Sequence, residues 1–423
     1  MAKMIRTAID YGSKFISVAL GFSIPVSTAL NSILLTLTVP LWFLGRDYKK
    51  KISIIKDNKY VWAIFILIGL YFVGLFYGEA SVKEALNEFA GMASLLLIPI
   101  MIPFFRDEKV RTNALNLFLL TMTVTLFLSY LIWFNLLPAN QFIKGNPNDA
   151  SVFMMRITQN LLMAFCAFLF AVRARQSANR KIILLFIVLT VLAVINITVM
   201  VGGKTGYLVL IVLTIYYFLA WLKWKGIFAA ALAIAVFGIF TYLIPSSSMH
   251  QRVKEFFVDV SEKNIPNRYS PEIKETSTGY RMMFYKNTIK IIFEHPILGV
   301  GTGGYPKAYA KIVKDTKMPD TVNPHNEYLM VTSQLGLLGL CAFLYLFLMQ
   351  WRLASNLHSK FDKIIARGLV LTILSASMVT STLVDHTERT FYIWMSALLF
   401  GGYMSYRCQE DQNEIISNNN NEK

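Results

Sequence analysis

A histidine, an asparagine and a glutamate lie side by side in the segment PHNEYL, at 324–329, where a long apolar run begins. An unperturbed histidine has a pKa of about 6.5 and can therefore take a proton from a hydroxyl near neutral pH. Asn326 or Glu327 can cap the following helix, so His325 is not needed for that role. This pattern predicts that His325 acts as a general base.

Two cations are candidates for holding an anionic substrate. Lys204 lies in GGKTGY, between glycines that allow close approach of a ligand. It either binds an anion or is a lysine that extends its charge to the membrane surface. Arg281 lies near the start of a predicted helix in TGYRMMFYKN. It either offers paired hydrogen bonds to phosphate or belongs to a solvated helix face.

A third cation, Arg156, is predicted to lie one turn inside a membrane span, in SVFMMRITQN. An arginine buried in a membrane needs an acidic partner or a wet cavity. Arg156 is therefore expected either to hold substrate or to pair with Asp385 or Glu388.

A short loop at 385–389 contains Asp385, His386, Glu388 and Arg389. It is interpreted either as a polar hairpin or as a cluster that supports the acceptor side of a site. The same supporting role is open to three residues of PHNEYL: Asn326, Glu327 and Tyr328. The histidines have neither HxxxH nor HExxH spacing, so no metal site is predicted. No cofactor motif is found either, because GVGTGG is not followed by GK[ST].

The composition is that of a membrane protein. The chain has 423 residues, of which 55% are hydrophobic and 16% charged, and its mean hydropathy is +0.50. A soluble domain carries about 25% charged residues and lacks repeated apolar runs of about 20 residues. The runs are continuous rather than alternating, which excludes a β-barrel. The fold class is therefore all-α, a polytopic integral membrane protein.

The hydropathy pattern predicts about twelve transmembrane helices and four regions. Residues 1–244 hold helices 1–9, 245–326 form a large loop, 327–407 hold helices 10–12, and 408–423 form a disordered tail. The predicted spans lie near 13–27, 29–45, 60–78, 90–105, 113–137, 152–172, 181–200, 206–222, 226–244, 327–350, 366–384 and 391–406.

The net charge of +16 is concentrated in alternate short loops, which argues against nucleic-acid binding. Lys and Arg are abundant in 46–51, 106–111, 173–181, 223–225 and 352–367. By the positive-inside rule these loops and both termini are cytoplasmic. The candidate site residues then face the periplasm, as does the large loop. Within that loop, 277–296 and YPKAYAKIVKD are predicted helices that flank a glycine-rich turn.

Three stretches, in this order, resemble the O-antigen ligase and polymerase superfamily of bacterial envelope glycosyltransferases. They are GGKTGYL after the seventh span, the helix from Gly279 that leads into EHPILGVG at 294–301, and PHNEYL at 324–329. The chain length and the single dominant loop look more like the ligase.

The resemblance implies an inverting, metal-independent enzyme of lipopolysaccharide biosynthesis in the Gram-negative inner membrane. Its donor is a glycan on undecaprenyl diphosphate, and its acceptor is a sugar hydroxyl of lipid A-core. By position, diphosphate binding falls on Lys204 and Arg281, and acceptor activation on His325. The family usually has arginine at the position of Lys204, and Arg156 is a second cation that can share its role.

Three other functions remain open on the sequence. An O-antigen polymerase and a protein O-oligosaccharyltransferase would use the same base and the same cations. A transporter or flippase is the third alternative, but transporters usually carry charges near the bilayer midplane and internal repeats. Here the polar candidates lie at one face of the predicted bundle.

Overall fold

The computed structural model describes residues 2–45, 48–56, 58–138, 143–243, 277–316 and 318–401, and these parts are almost entirely helical. The predicted tail at 408–423 and part of the predicted loop lie outside the described residues. The helices are α1 (Ala2–Val26), α2 (Thr28–Leu44), α3 (Tyr48–Lys56), α4 (Lys59–Gly74), α5 (Val82–Ala93, continued by short helical turns to Phe105), α6 (Glu108–Trp133), α7 (Arg156–Gln176), α8 (Arg180–Ile195), α9 (Lys204–Leu222), α10 (Gly226–Tyr242), α11 (Ser277–Glu294), α12 (Tyr305–Val313), α13 (Glu327–Ser355), α14 (Lys360–Ala376) and α15 (386–401).

The predicted fold class, an all-α polytopic membrane protein, is confirmed. Within the described residues, six helical stretches are long and apolar enough to cross a membrane, and two shorter apolar helices, α2 and α4, accompany them. The six are Val82–Phe105, Glu108–Trp133, Arg156–Gln176, Arg180–Met200, Lys204–Phe240 and Glu327–Ser355. The total of twelve spans stays a prediction.

The fifth of these stretches contains two helices that pack against each other, as the sequence predicts. The chain reverses at Lys223–Lys225, where Lys223 has a left-handed φ of 54°. A Cβ on Gly226 would lie 2.3 Å from the carbonyl oxygen of Phe218. Only glycine therefore allows α10 to begin so close to the end of α9.

The loops sort onto two faces of the bundle. On one face, Arg111 donates to the carbonyl of Phe105 at 2.8 Å, and Arg367 donates to Ser355 at 2.8 Å. These contacts lie among the loops rich in Lys and Arg. The opposite face carries the start of α7, α9 and α13 and the end of α4 and α14, together with α11 and α12. All eleven candidate residues named above belong to this second face, which we call the site face.

A tightly packed core joins α1, α6, α7 and α15. The side chain of Trp394 is fully buried, and its indole N–H donates to the carbonyl of Ser17 at 2.9 Å. Gly21 lets α1 approach α6, since a Cβ there would lie 2.5 Å from the carbonyl oxygen of Ala114. Small residues at such crossings and polar bonds between helices are typical of packing within a membrane.

The helices α11 and α12 form a cap on the site face, at positions that agree with the predicted helices of the large loop. They share an apolar cluster with the start of α13. Its buried members are Phe284, Ile291, Tyr305, Tyr309, Val313 and Met330. The turn between the two helices contains three residues with left-handed φ: Gly299, Gly301 and Gly303.

The predicted span 327–350 corresponds to α13, which is broken at Gly336. Gly336 has φ 63° and ψ −163°, a conformation open essentially to glycine alone. At the break, backbone N–H groups of α13 are available for hydrogen bonds to the cap. The N–H of Leu337 donates to the carbonyl of Pro296 at 2.8 Å, so the turn after α11 fits into the interruption.

Candidate active site

His325 is held in an uncommon backbone conformation at the start of α13. Its φ of 56° is left-handed, which is rare for residues other than glycine. Its own N–H donates to the side-chain oxygen of Asn323 at 2.7 Å, and its carbonyl accepts a bond from the hydroxyl of Tyr285 at 3.2 Å. Pro324, before it, is buried. These contacts fix where the imidazole can point.

The helix α11 brings Arg281 close to His325. The imidazole ring lies 6.2 Å from the ring of Phe284, centroid to centroid. Burial, and then the charge of Arg281, lowers the pKa of His325 below its usual value. The same guanidinium opposes the rise that burial gives the pKa of Tyr285. A neutral, half-buried imidazole beside a cation can accept a proton next to an anionic ligand.

The other residues of PHNEYL fasten the start of α13. Asn326 is the helix N-cap, accepting from the N–H of Leu329 at 3.0 Å, and its amide donates to the carbonyl of Met378 at 2.9 Å. The hydroxyl of Tyr328 donates to the carbonyl of Leu374 at 2.8 Å. Both side chains are thus engaged by the chain at the end of α14. The side chains of Asn326 and Tyr328 are thus used to hold the backbone, whereas the imidazole of His325 is the group we consider for proton transfer.

Glu327 is buried inside the same structure. Its side chain is fully shielded from solvent, its N–H donates to the carbonyl of Ser377 at 2.9 Å, and one carboxylate oxygen accepts from the N–H of Leu383 at 2.9 Å. A buried carboxylate needs such bonds, because losing its hydration is unfavourable. Glu327 therefore ties α13 to the segment before α15, and it does not face solvent.

Glycines set the position of Lys204. Lys204 is the first residue of α9, and Gly203 is the N-cap. The amide of Asn160 on α7 donates to the carbonyls of Val201 and Gly203, at 2.8 and 3.3 Å. A Cβ on Gly206 would lie 2.6 Å from the Cβ of Asn160. The motif GGKTG thus lets α9 lie against α7, and it presents the half-buried lysine on the site face.

Arg156 is not buried one turn inside a span, so that prediction was wrong. It is the first residue of α7, and its side chain is exposed. A Cβ on Gly203 would lie 3.0 Å from the carbonyl oxygen of Arg156, so the start of α7 adjoins the backbone of GGKTG. The structure therefore brings Arg156 and Lys204 to the same region. Among the described residues no ion pair joins Arg156 to Asp385 or Glu388.

The segment 385–389, predicted as a short loop, forms the start of α15 and is more buried than a solvated hairpin. Glu388 is only 2% exposed, and it accepts from the hydroxyl of Thr158 at 2.6 Å. The guanidinium of Arg389 donates to the carbonyls of Leu383 and Val384, at 2.8 and 3.0 Å. Asp385 accepts from Thr380 at 3.3 Å.

Arg389 is the cation at the centre of a group of acids. Its charge acts on Glu327, Glu388, Asp385 and Glu88. Glu88, on α5, was not predicted to take part, and its carboxylate accepts from the amide of Gln334 at 3.0 Å. The bond between Thr158 and Glu388 joins this group to the start of α7, and hence to the region of Lys204.

Sequence reasoning also missed Tyr285 and Asn160, two polar side chains that help to position the predicted site residues. Asn160 had a weak signal, since it is a buried amide in an otherwise apolar helix. Tyr285 lies four residues after Arg281, on the same helix face. A search of the described residues for three or more His, Cys, Asp or Glu side chains able to hold a metal finds no such group.

Comparison with known proteins agrees with the motifs. A family model described as O-antigen ligase matches residues 194–344, a range that includes Lys204, Arg281 and His325. The curated O-antigen ligase of Salmonella typhimurium strain LT2 is 23% identical over 330 residues, which cover 74% of this chain and 75% of that protein. The predicted resemblance is therefore confirmed at the level of the family.

Proposed function

We propose that this chain is a member of the O-antigen ligase family and transfers a polysaccharide en bloc from undecaprenyl diphosphate to a sugar hydroxyl of lipid A-core. The observation that carries the proposal is that α11, the helix of Arg281, packs against His325 through Phe284 and Tyr285. A base kept neutral and a fixed cation lie together at the mouth of a membrane helix, where two lipid-bound substrates can meet. General-base catalysis typically contributes about 10²- to 10⁴-fold to a rate.

The reaction needs proton removal at one end and charge stabilisation at the other. The imidazole of His325 takes the proton of the acceptor hydroxyl as its oxygen attacks the anomeric carbon of the donor. The bond from that carbon to the diphosphate breaks, and undecaprenyl diphosphate leaves with the bonding electrons. Attack opposite the leaving group inverts the anomeric centre. Arg281, Lys204 and Arg156 bind the diphosphate and stabilise its growing charge, which is often the largest catalytic effect.

An apolar cavity near Lys204 has room for the first few isoprene units of such a donor. Its volume is about 270 Å³, and it lies among α7, α8, α9 and α10. Tyr207, one turn after Lys204, lines it together with Thr198. Deeper apolar lining residues include Ala164, Phe168, Val194, Leu210 and Phe237. A lipid tail in this cavity would leave its diphosphate near the start of α9, within the region of Lys204 and Arg156.

The charge of the loops supports a periplasmic site. The loops on the face opposite the site are rich in Lys and Arg, which favours a cytoplasmic location for that face. We therefore assign the protein to the bacterial inner membrane, with both termini in the cytoplasm and the site in the periplasm.

The test is expression in a ligase-deficient Gram-negative strain that makes a matched donor and core, followed by silver-stained gels of its lipopolysaccharide. The chain should restore a ladder of core-linked polysaccharide. Lys204→Ala, Arg281→Ala and His325→Ala should abolish it at equal protein level. Lys204→Arg should keep the ladder, because it retains the charge and adds the planar fork common in the family.

Two control variants test whether removal of any cation or any histidine from the cap is enough to abolish the ladder. Lys286 is exposed on α11, and His295 is exposed at its end. Lys286→Ala and His295→Ala should keep the ladder. A ladder that survives in His325→Ala would refute the assigned base. Longer lipid-linked chains without core-linked product would instead identify a polymerase. Glycosylated protein would identify a protein O-oligosaccharyltransferase. If cells that lack this chain keep the lipid-linked precursor on the cytoplasmic side of the membrane, the chain would be a flippase.

A further inference from the structure

The turn between the two cap helices carries an exposed apolar surface. Three of its side chains are large and open: Phe293 is 79% exposed, Ile297 62% and Leu298 50%. Most of the other exposed large apolar side chains among the described residues lie on the membrane-spanning helices. An apolar surface of this kind on a polar cap needs a partner.

The turn is bonded to the middle of a membrane-spanning helix. The N–H groups of Leu337 and Leu338, just after the break in α13, donate to the carbonyls of Pro296 and Ile297 at 2.8 and 3.5 Å. The hydroxyl of Tyr77 donates to the carbonyl of Leu298 at 2.6 Å. The depth of the turn is therefore fixed by the depth of Leu337.

That depth lies below the surface of the bilayer. Arg352 is the basic residue in the last turn of α13, at the face opposite the site. From Arg352 to Leu337 the helix rises about 22 Å, at about 1.5 Å per residue. A bilayer has a hydrocarbon core of about 30 Å. With Arg352 at one boundary of this core, Leu337 and the turn bonded to it lie about 8 Å inside the other boundary.

The neighbouring helix α4 gives the same result independently. It has 16 residues, from Lys59 to Gly74, and so spans only about 24 Å. Its C-terminal carbonyl, at Gly74, accepts from the N–H of Thr302 at 3.0 Å. The hydroxyl of Thr302 donates to the carbonyl of Tyr71 at 2.6 Å. The glycine-rich turn thus continues a helix that is too short to cross the hydrocarbon core.

The part of the turn from Gly299 to Gly304 is bonded within the protein. All six consecutive N–H groups from Gly299 to Gly304 have an acceptor within the protein. The acceptors are the carbonyls of His295, Ser333, Gln334, Gly74 and Gly301 and the side-chain oxygen of Gln334, at 2.6 to 3.1 Å. Thr302 is fully buried, and buried backbone groups need such partners, so these bonds hold the turn at a fixed position against α4 and α13.

We infer that residues 296–304 form a re-entrant turn, which lies within the hydrocarbon of the leaflet on the site face and contacts lipid acyl chains through Ile297 and Leu298. Phe293, at the end of α11, joins the same surface. The surface is continuous with the exposed apolar side chains Leu337 and Leu338 of α13, 51% and 47% exposed. A lipid partner is favoured over a protein for this reason. The turn anchors one end of α11, the helix that carries Arg281.

Cysteine reactivity tests the location of the turn. The variant Leu298→Cys, in a chain with Cys341→Ser and Cys408→Ser, is treated with N-ethylmaleimide in native membranes and in proteoliposomes of the purified full chain. Cys166 stays, because it is fully buried. Thiols left unreacted are then counted by a gel shift with a polymer-linked maleimide in SDS. Only a thiolate reacts, and a thiol in hydrocarbon does not ionise.

Two comparisons bracket the expected result. Val322→Cys lies on the cap, where the side chain is 72% exposed. Cys341, exposed on α13 one turn beyond Leu337, reports a lipid-facing position. Leu298→Cys should react at least about tenfold more slowly than Val322→Cys, and at the rate of Cys341, in both preparations.

Equal rates for Leu298→Cys and Val322→Cys in both preparations would overturn the inference, because the turn would then lie in water. Slow reaction in native membranes but fast reaction in proteoliposomes would also overturn it, since a protein partner would then cover the turn. If Leu298→Cys does not fold, Phe293→Cys at the edge of the same surface carries the test. Each comparison is independent of enzymatic activity.

Discussion

The break in α13 at Gly336 holds the cap to the membrane domain, and substitution of this one residue tests that arrangement. A Cβ on Gly336 would lie 2.1 Å from both the carbonyl carbon and the carbonyl oxygen of Ile297. These are backbone atoms of a segment whose neighbours are bonded to α13 and α4, so they have little freedom to move. Gly336→Ala should therefore separate the turn from the helix.

Two contributions set the size of the effect. Alanine at φ 63° and ψ −163° is strained by about 1–3 kcal/mol. Forcing an extra carbon into a packed site destabilises by about another 1–3 kcal/mol. We expect a loss of about 2–6 kcal/mol, a large fraction of a typical unfolding free energy of about 5–15 kcal/mol.

The assay is thermal unfolding of the purified chain in detergent, followed by intrinsic tryptophan fluorescence. Gly69→Ala is the matched control, because no heavy atom lies within 4 Å of a Cβ at that position, in the interior of α4. It should leave the midpoint unchanged or raise it, since alanine favours a helix by about 1 kcal/mol over glycine. A midpoint for Gly336→Ala equal to that of Gly69→Ala would refute the docking of the turn in the break.

Two further predictions concern the mouth of α13. Burial and Arg281 lower the pKa of His325, so its imidazole stays neutral to a lower pH than an ordinary histidine. Transferase activity in a reconstituted assay should accordingly fall on the acid side below about pH 6.5. Arg281→Gln removes one cause of the lowered pKa, so the loss of its remaining activity on the acid side should begin at a higher pH. If the acid side of the pH profile does not move, a group other than His325 controls it. Glu327→Gln keeps an oxygen for the N–H of Leu383, whereas Glu327→Leu leaves that N–H unbonded, so only the latter should lose about 1–3 kcal/mol in thermal unfolding. Equal midpoints for the two variants would remove the structural role of the bond.

The sequence predicted the fold class and the cap helices, for identifiable physical reasons. Continuous apolar runs have few stable alternatives to membrane helices. The cap helix at Ser277–Glu294 was marked by Ser/Thr residues at its start and a proline just after its end. Local patterns of this kind extend over a few residues, which is the range over which sequence is most informative.

The break at Gly336 had no such signal. In the run QLGLLGL two glycines occur three residues apart, and either is compatible with a helix. Gly339 keeps a helical conformation and lies next to Leu335 of the same helix. The helix is interrupted at Gly336 because the turn at Pro296–Ile297 packs there. That contact joins segments about forty residues apart in sequence, so no local pattern records it. The exposure of Arg156 was missed for a related reason. The start of α7 packs closely against Gly203, which is distant from it in sequence.

The buried charges behind the mouth of α13 act through the backbone that they hold. Glu327 and Arg389 both bond to the segment around Leu383, and Ser381 in the same segment donates to the side chain of Asn323 at 2.6 Å. Asn323 in turn receives the N–H of His325. Each of these groups is a step or two from the imidazole, and their hydrogen bonds are directed at the chain. The predicted supporting role of Glu327 and Arg389 thus has a physical basis in positioning, because the left-handed backbone of His325 persists only where its surroundings impose it.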